Sequence, residues 1–199
     1  MTLAVFGQLY GHEFVLWDDG LHVYENPYLQ SLTFDNVLAF WRKPYGELYI
    51  PLTYTLWALT AAVSRGWHAH ASVGTPLDPR FFHTLNLLVY LLTVLVVWRI
   101  VRLLLSRSAP PPVLTRVEWA AGAGALFFAV HPVHVEAVAW VTGFKDVLYG
   151  FLACVAIWQY VMYARGDMPV SAAGKAAGSK TQQSLRHYWL ATGVFVLAL

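Results

Sequence analysis

Four stretches of this chain carry no Asp, Glu, Lys or Arg: residues 48–64, 81–98, 119–135 and 147–164. They are 17, 18, 17 and 18 residues long, and a helix that crosses the hydrocarbon core of a bilayer needs about 17–25 mostly apolar residues. Composition agrees. Only 12% of the 199 residues are charged and 58% are hydrophobic, where a soluble domain carries about 25% charged residues. A soluble globular domain, a secreted disulfide scaffold and a disordered chain are excluded. The net charge of +2 says little, and no basic stripe lies outside short linkers, which argues against a nucleic-acid partner. The one cysteine, Cys154, allows neither an internal disulfide nor a cysteine-based metal site. The expected class is an all-α polytopic membrane protein.

The few charges are sorted by position. Residues 11–80 hold seven acids against four bases, and residues 131–146 hold Glu136 and Asp146 against Lys145. Residues 99–118 hold four arginines against Glu118, and residues 165–186 hold four bases against Asp167 in a small-residue linker that reads as flexible. Positive charge marks the cytoplasmic side. The 99–118 and 165–186 linkers are therefore expected inside and 131–146 outside. With 81–103 running inward, residue 80 lies outside. A crossing at 48–64 would then strand the acidic stretch before it in the cytoplasm. That window begins near Pro51, carries Thr53, Thr55, Thr60 and Ser64, and reads instead as an interfacial helix. The expected order is a partial span at 1–10, an outer loop at 11–80, a span at 81–103 and a span at 117–130. An outer motif at 131–146, a span at 147–164 and a partial span at 188–199 complete it. Residues 1–12 lack the charged start and cleavage site of a signal peptide, and the chain ends inside the apolar run YWLATGVFVLAL. It is expected to be the N-terminal part of something longer.

Several polar residues in this apolar setting ask for a reason. Asp18 and Asp19 directly follow the run FVLW, and adjacent carboxylates beside a membrane segment are costly unless they face water or a partner. They suit a general base paired with a second acid; they equally suit an acidic turn before Gly20. In HPVHVEAVAWVTGFKD, residues 131–146, the groups His131, His134, Glu136, Lys145 and Asp146 gather beside an apolar window. Pro132 fits a first helical turn, which would put His131 and His134 on one face. An extended V-H-V-E segment would instead align His134 with Glu136. Either geometry offers a divalent metal or a phosphate two partners, although the helical zinc signature H-E-x-x-H is absent. Interfacial histidines held by hydrogen bonds explain the same residues. Arg80, His83 and Asn86, in RFFHTLNLL, could meet an anionic headgroup or simply anchor a span end, with Arg80 reaching to the interface.

Taken in order, WDDGLHVYENPYL (17–29), PLTYTLW (51–57), FHTLNLLVYLL (82–92) and LFFAVHPVHVEAVAWVTGFKDVL (126–148) resemble one family. It is the transmembrane O-mannosyltransferase-like family with tetratricopeptide repeats (TMTC-type), of the GT-C glycosyltransferase superfamily, in a bacterial relative. The resemblance implies a partial GT-C transmembrane bundle whose large first outer loop carries juxtamembrane helices. It implies a polyprenyl- or dolichyl-phosphate-linked sugar as donor. Transfer would be to a hydroxyl acceptor, including protein Ser/Thr, on the periplasmic or lumenal face. Asp18 and Asp19 match the family's acidic pair, with Asp19 favoured as the general base. His131, His134, Glu136 and Asp146 match its H-P-x-H-x-E block and the acid that follows, and Lys145 becomes a phosphate contact. Two positions depart: Phe144 and Ile50 stand where relatives carry arginine. No cofactor beyond an optional divalent metal is implied. The rival readings are an ion- or proton-coupled transporter and a non-catalytic membrane scaffold. Nine arginines to four lysines favour a bacterial plasma membrane over the endoplasmic reticulum.

Overall fold

The computed structural model describes residues 1–67, 75–106, 114–166 and 177–198. Residues 68–74, 107–113, 167–176 and 199 lie outside the described residues, and with them much of the linker expected at 165–186. Among the described residues every regular element is helical, apart from one isolated bridge between Tyr45 and Leu48. The α-helices are α1 (Thr2–Phe6), α2 (Phe34–Arg42), α3 (Pro51–Trp67), α4 (Pro79–Ser106), α5 (Leu114–Ala129), α6 (Val135–Ala139), α7 (Phe144–Gly166) and α8 (Ala177–Ala198).

Two helices, α4 and α7, are long and apolar enough to cross a membrane. The most apolar 18 residues of each have mean hydropathy 2.2 and 1.6, yet only 22% and 17% of those windows are buried in the protein. Leu88, Leu92 and Leu95 of α4 and Ile157 of α7 are exposed. Water would not tolerate such faces uncovered, whereas lipid does. α5 and the Pro132–Ala139 segment meet the same measure of length and apolarity only as a pair bent by 48°, a broken span or a re-entrant loop. The bend falls at Pro132, which cannot donate the hydrogen bond that would continue α5.

α3 is different. Its 17 residues make a rod of about 26 Å at 1.5 Å per residue, short of the roughly 30 Å hydrocarbon core. Its buried residues, Thr53, Tyr54, Trp57, Ala58, Ala61 and Ser64, recur at helical spacing. At the start of the chain, residues 2–11 form the five-residue α1 and a single 3-10 turn, Gly7–Gly11.

The chain divides into two compact units, Met1–Leu91 with Val130–Leu148, and Leu92–Ala129 with Tyr149–Leu199. The first has an aromatic core. Phe40 and Tyr54 stack with ring centroids 4.5 Å apart, Tyr45 stands edge-on to Tyr54, and Trp57 bridges Tyr54 to Phe144. Phe14 packs edge-on against Phe82. Local signals set the elements around this core. Thr33 caps α2 by accepting from the Asn36 N–H, with Asp35 in the first turn and Arg42 in the last, as cap chemistry and the helix dipole favour. Asn26 accepts from the Tyr28 N–H ahead of Pro27. Ser64 Oγ accepts from the Asp78 N–H, and Asp78 Oδ1 accepts from the Arg80 N–H at the head of α4.

One connection is strained. Tyr45 and Leu48 exchange both backbone hydrogen bonds, each 3.0 Å, across Gly46 (φ +52°) and Glu47 (φ +66°). This is a type I′ turn, which needs positive φ at both central positions; glycine supplies one freely and Glu47 is forced into the other.

In the second unit Arg102 of α4 pairs with Glu118 of α5, and Arg99 and Arg102 both lie over the Trp98 ring. Arg165 donates to the Leu103 carbonyl. His187 of α8 meets Gln159 of α7 at 2.6 Å, beside an apolar groove lined by Ile157, Tyr160 and Phe195.

Candidate functional site

The site is built within the first unit, and its centre is Asp19. This carboxylate is only 1% exposed, and each of its oxygens accepts a backbone N–H. Val15 N–H donates to Oδ2 at 2.9 Å and Thr142 N–H to Oδ1 at 3.0 Å. Both donors lie in irregular backbone, where no helix or strand supplies a partner; the Thr142 bond is buried, where an N–H left without one is costly, and the Val15 bond is part-buried. Asp19 therefore joins the acidic segment at the start of the chain to the 131–146 block. Asp18 beside it is half-buried.

Residues 18–25 explain why the acids converge with a third titratable group. The backbone from Asp18 turns through a single π-turn, Gly20–Tyr24, closed by the Glu25 N–H on the Gly20 carbonyl at 2.9 Å. Such wide turns cluster at functional sites. The turn carries His22 inward, where it is 6% exposed. Its Nδ1 lies 2.7 Å from the Tyr54 hydroxyl, and that hydroxyl donates to the Tyr45 carbonyl at 3.1 Å. Burial pushes the His22 imidazole below its usual value; Asp18 and Asp19 oppose the shift and Lys145 adds to it. Burial likewise raises the Tyr54 hydroxyl well above the usual tyrosine range. Asp18, Asp19, His22 and Lys145 thus share one electrostatic neighbourhood.

The 138–143 segment is clamped from two more directions. Asn86 of α4 donates its amide to the Val138 and Trp140 carbonyls, and it is fully buried. Gly143 approaches so closely that a Cβ there would lie 2.4 Å from the Ala137 carbonyl oxygen. One helical turn before Asn86 sits His83, 3% exposed and edge-on to His12 at 6.4 Å, within reach of the Asp19 charge.

The other expected residues take distinct places. His131 Nδ1 accepts from the Val133 N–H and caps the turn that Pro132 opens. The stretch is therefore helical rather than extended, and His131 and His134 are neighbours with ring centroids 6.2 Å apart. His134 also packs against Tyr90. Glu136 and Asp146 are exposed. Lys145 reaches the Thr142 carbonyl at 3.4 Å and Asp146 at 3.8 Å, an exposed ion pair worth little by itself. Arg80 lies over the Tyr10 ring. Among the described residues no three His, Cys, Asp or Glu side chains converge at metal-binding distance. Phe144, which stands where the resemblance expects arginine, is sealed in the core against Trp57.

Sequence reasoning missed His22 and Tyr54. The available signal was spacing: in D-D-G-L-H, the histidine follows the acids by four and three residues, which one helical turn brings to the same side. The chain matches no protein-family model, no curated protein and no solved structure.

Proposed function

We propose that this chain forms the acceptor side of an integral-membrane glycosyltransferase site. The site would move a sugar from a polyprenyl- or dolichyl-phosphate to a hydroxyl on the periplasmic or lumenal face. The observation that carries this reading is the Asp19–Thr142 hydrogen bond. It ties the acidic pair to the block that holds Lys145, so a carboxylate pole and a cationic pole lie side by side.

Glycosyl transfer from a lipid phosphate needs little more than that pairing. The leaving phosphate already carries negative charge, which Lys145 can stabilise as it develops. The acceptor hydroxyl must lose its proton toward a negative centre; Asp18 would receive it, whereas Asp19, the base that the resemblance favours, is buried with both oxygens engaged. Asp19 acts by holding the pocket's backbone in register, while Asp18 is the more open member. His131, His134 and Glu136 would contact the donor's headgroup region together with Arg80, while the buried His83 would support that face from within. A divalent metal is compatible with this chemistry and not required by it.

The reading is tested in the full-length protein with a lipid-phosphate-linked sugar and a hydroxyl acceptor. Transfer by the wild type, with a loss of at least about 100-fold in Asp18→Asn, is the expected result, since acid–base assistance contributes about 10²–10⁴-fold. Absence of transfer by the wild type for every lipid-linked sugar tried would favour a membrane scaffold. Uptake of a solute coupled to a proton gradient would favour a transporter.

A further inference from the structure

We propose that the end of the second unit where α4 and α7 finish and α5 begins binds an anionic phospholipid headgroup through Arg99, Arg102 and Arg165. Three charge-free stretches have their borders here: 81–98 before Arg99, 119–135 after Glu118, and 147–164 before Arg165. Side-chain contacts bring those borders together. Arg102 of α4 pairs with Glu118 of α5 at 2.5 Å, and Arg165 of α7 donates to the Leu103 carbonyl of α4 at 3.2 Å. Arg99, Arg102 and Leu103 stand at i, i+3 and i+4, positions that share one helix face. The Arg165 guanidinium therefore reaches the same stripe of α4 as the other two.

Charge in the cluster is out of balance. Three guanidinium groups share the one carboxylate of Glu118, and among the described residues this is the only Asp/Glu–Lys/Arg pair in the unit. Two positive charges are left over at a membrane border, where a phosphate group is the counter-charge a bilayer supplies. The groups are also held in place beforehand. Arg99 and Arg102 both lie over the Trp98 ring, 5.3 and 5.8 Å from its centroid, so little side-chain freedom remains to be lost on binding. A guanidinium presents a planar fork that matches the oxygens of a phosphate. Arg99 and Arg165 are exposed, and the Arg102 side chain is 39% exposed, so all three can be reached.

A lipid fits this place better than a soluble anion because the same stripe of α4 continues as exposed leucine. Leu92 and Leu95 precede Arg99 by seven and four residues on that face, and both are exposed. An acyl chain can lie along them while the phosphate meets the arginines, whereas a free phosphate has no use for the leucines. Trp98 closes the charge-free stretch, the level at which an amphipathic ring meets headgroups. Each basic side chain near a bilayer surface favours an anionic over a neutral lipid by about fivefold. Two unbalanced charges therefore give a preference of about 25-fold. This site is separate from the one at Asp19 and takes no part in sugar transfer.

The test places the full-length protein in bilayers of equal phosphatidylglycerol and phosphatidylcholine and identifies, by native mass spectrometry, the lipid that stays bound. The wild type should retain phosphatidylglycerol over phosphatidylcholine by about 25-fold. Arg99→Gln combined with Arg165→Gln leaves one guanidinium against one carboxylate, and the two lipids should then be retained about equally. Glu118→Gln adds a net positive charge and should raise the preference about fivefold above wild type, a gain that misfolding does not produce. Arg42→Gln removes an exposed arginine of α2 in the first unit and should change nothing. A wild type without preference, a double variant that keeps it, or a Glu118→Gln protein without the gain overturns the assignment. So does a loss in Arg42→Gln equal to that of the double variant, which would mean that total charge alone decides. Displacement of the retained lipid by inorganic phosphate would identify a soluble anion as the ligand and overturns it as well.

Discussion

Replacing Asp19 with alanine removes two hydrogen bonds at once, and the structure allows the loss to be sized. Val15 N–H and Thr142 N–H each donate to a separate carboxylate oxygen at 2.9 and 3.0 Å, in a side chain that is 1% exposed. Hydrogen bonds to a charged group contribute about 1.5–3 kcal/mol each, and leaving a buried donor unpaired costs about 1–3 kcal/mol. Asp19→Ala should therefore destabilise the protein by about 2–4 kcal/mol, with the buried Thr142 bond contributing most and the part-buried Val15 bond less. Asp19→Asn separates shape from chemistry. Its amide oxygen can accept from one backbone N–H, but its NH₂ group faces the other, so about half the loss is expected. Thermal or denaturant unfolding in detergent, followed by tryptophan fluorescence, reads both variants. A further variant, Asp18→Ala, should change stability by less than about 1 kcal/mol because Asp18 is half-buried and surface-accessible carboxylates contribute little. If Asp19→Ala unfolds within about 0.5 kcal/mol of wild type, Asp19 does not anchor the Thr142 segment and the argument that joins the two motifs collapses.

Further outcomes follow from neighbouring features. Gly143→Ala would press a methyl group onto the Ala137 carbonyl at 2.4 Å, so a loss of about 1–3 kcal/mol is expected in the same unfolding assay. Glu47→Gly should stabilise, by about 1 kcal/mol, because it relieves a non-glycine residue at φ +66°; a destabilised variant would show that the Glu47 side chain matters more than its backbone. Asn86→Ala frees the Val138 and Trp140 carbonyls and should cost about 1–3 kcal/mol. The pH dependence has a definite sign. Burial lowers the His22 imidazole in the folded state, so the unfolded chain binds the proton more readily. Its contribution is intact above the unfolded value of about 6.5 and falls away as pH drops below it. Unfolding measured from pH 7.5 down to pH 5 should show this decline, and His22→Gln should flatten it.

Much of the architecture was legible because charge avoidance in a membrane leaves a one-dimensional trace. The spans expected at 81–103 and 147–164 correspond to α4 (Pro79–Ser106) and α7 (Phe144–Gly166), while the one expected at 117–130 falls on α5 (Leu114–Ala129), which is long enough only together with the bent segment after it. The window at 48–64 is the separate helix α3, which is not among the helices long and apolar enough to cross. The 131–136 segment was ambiguous because V-H-V-E alternates as a strand would. Pro132, with His131 as its cap, decides for a helical turn. The site was legible only in its acids and Lys145. What joins them is a backbone N–H at Thr142, a group every non-proline residue owns, so no residue type announces it. His22 was hidden for a related reason. A lone histidine among Leu, Val and Tyr looks like core until Tyr54, 32 residues away, is known to meet it.

The bond between Asp19 and Thr142 also has a consequence for how the protein is made. Its partners are 123 residues apart, and at roughly 5–20 residues per second of synthesis the second emerges about 6–25 seconds after the first. Through that interval the N-terminal carboxylates have left the ribosome while the segment that shelters them has not yet been translated. The acidic pair must wait in water or on an insertion factor, and the pocket closes only after α4 and α5 have been synthesised. A ribosome-nascent-chain series truncated on either side of Thr142 would display that moment as an abrupt gain in protease resistance around residues 12–25.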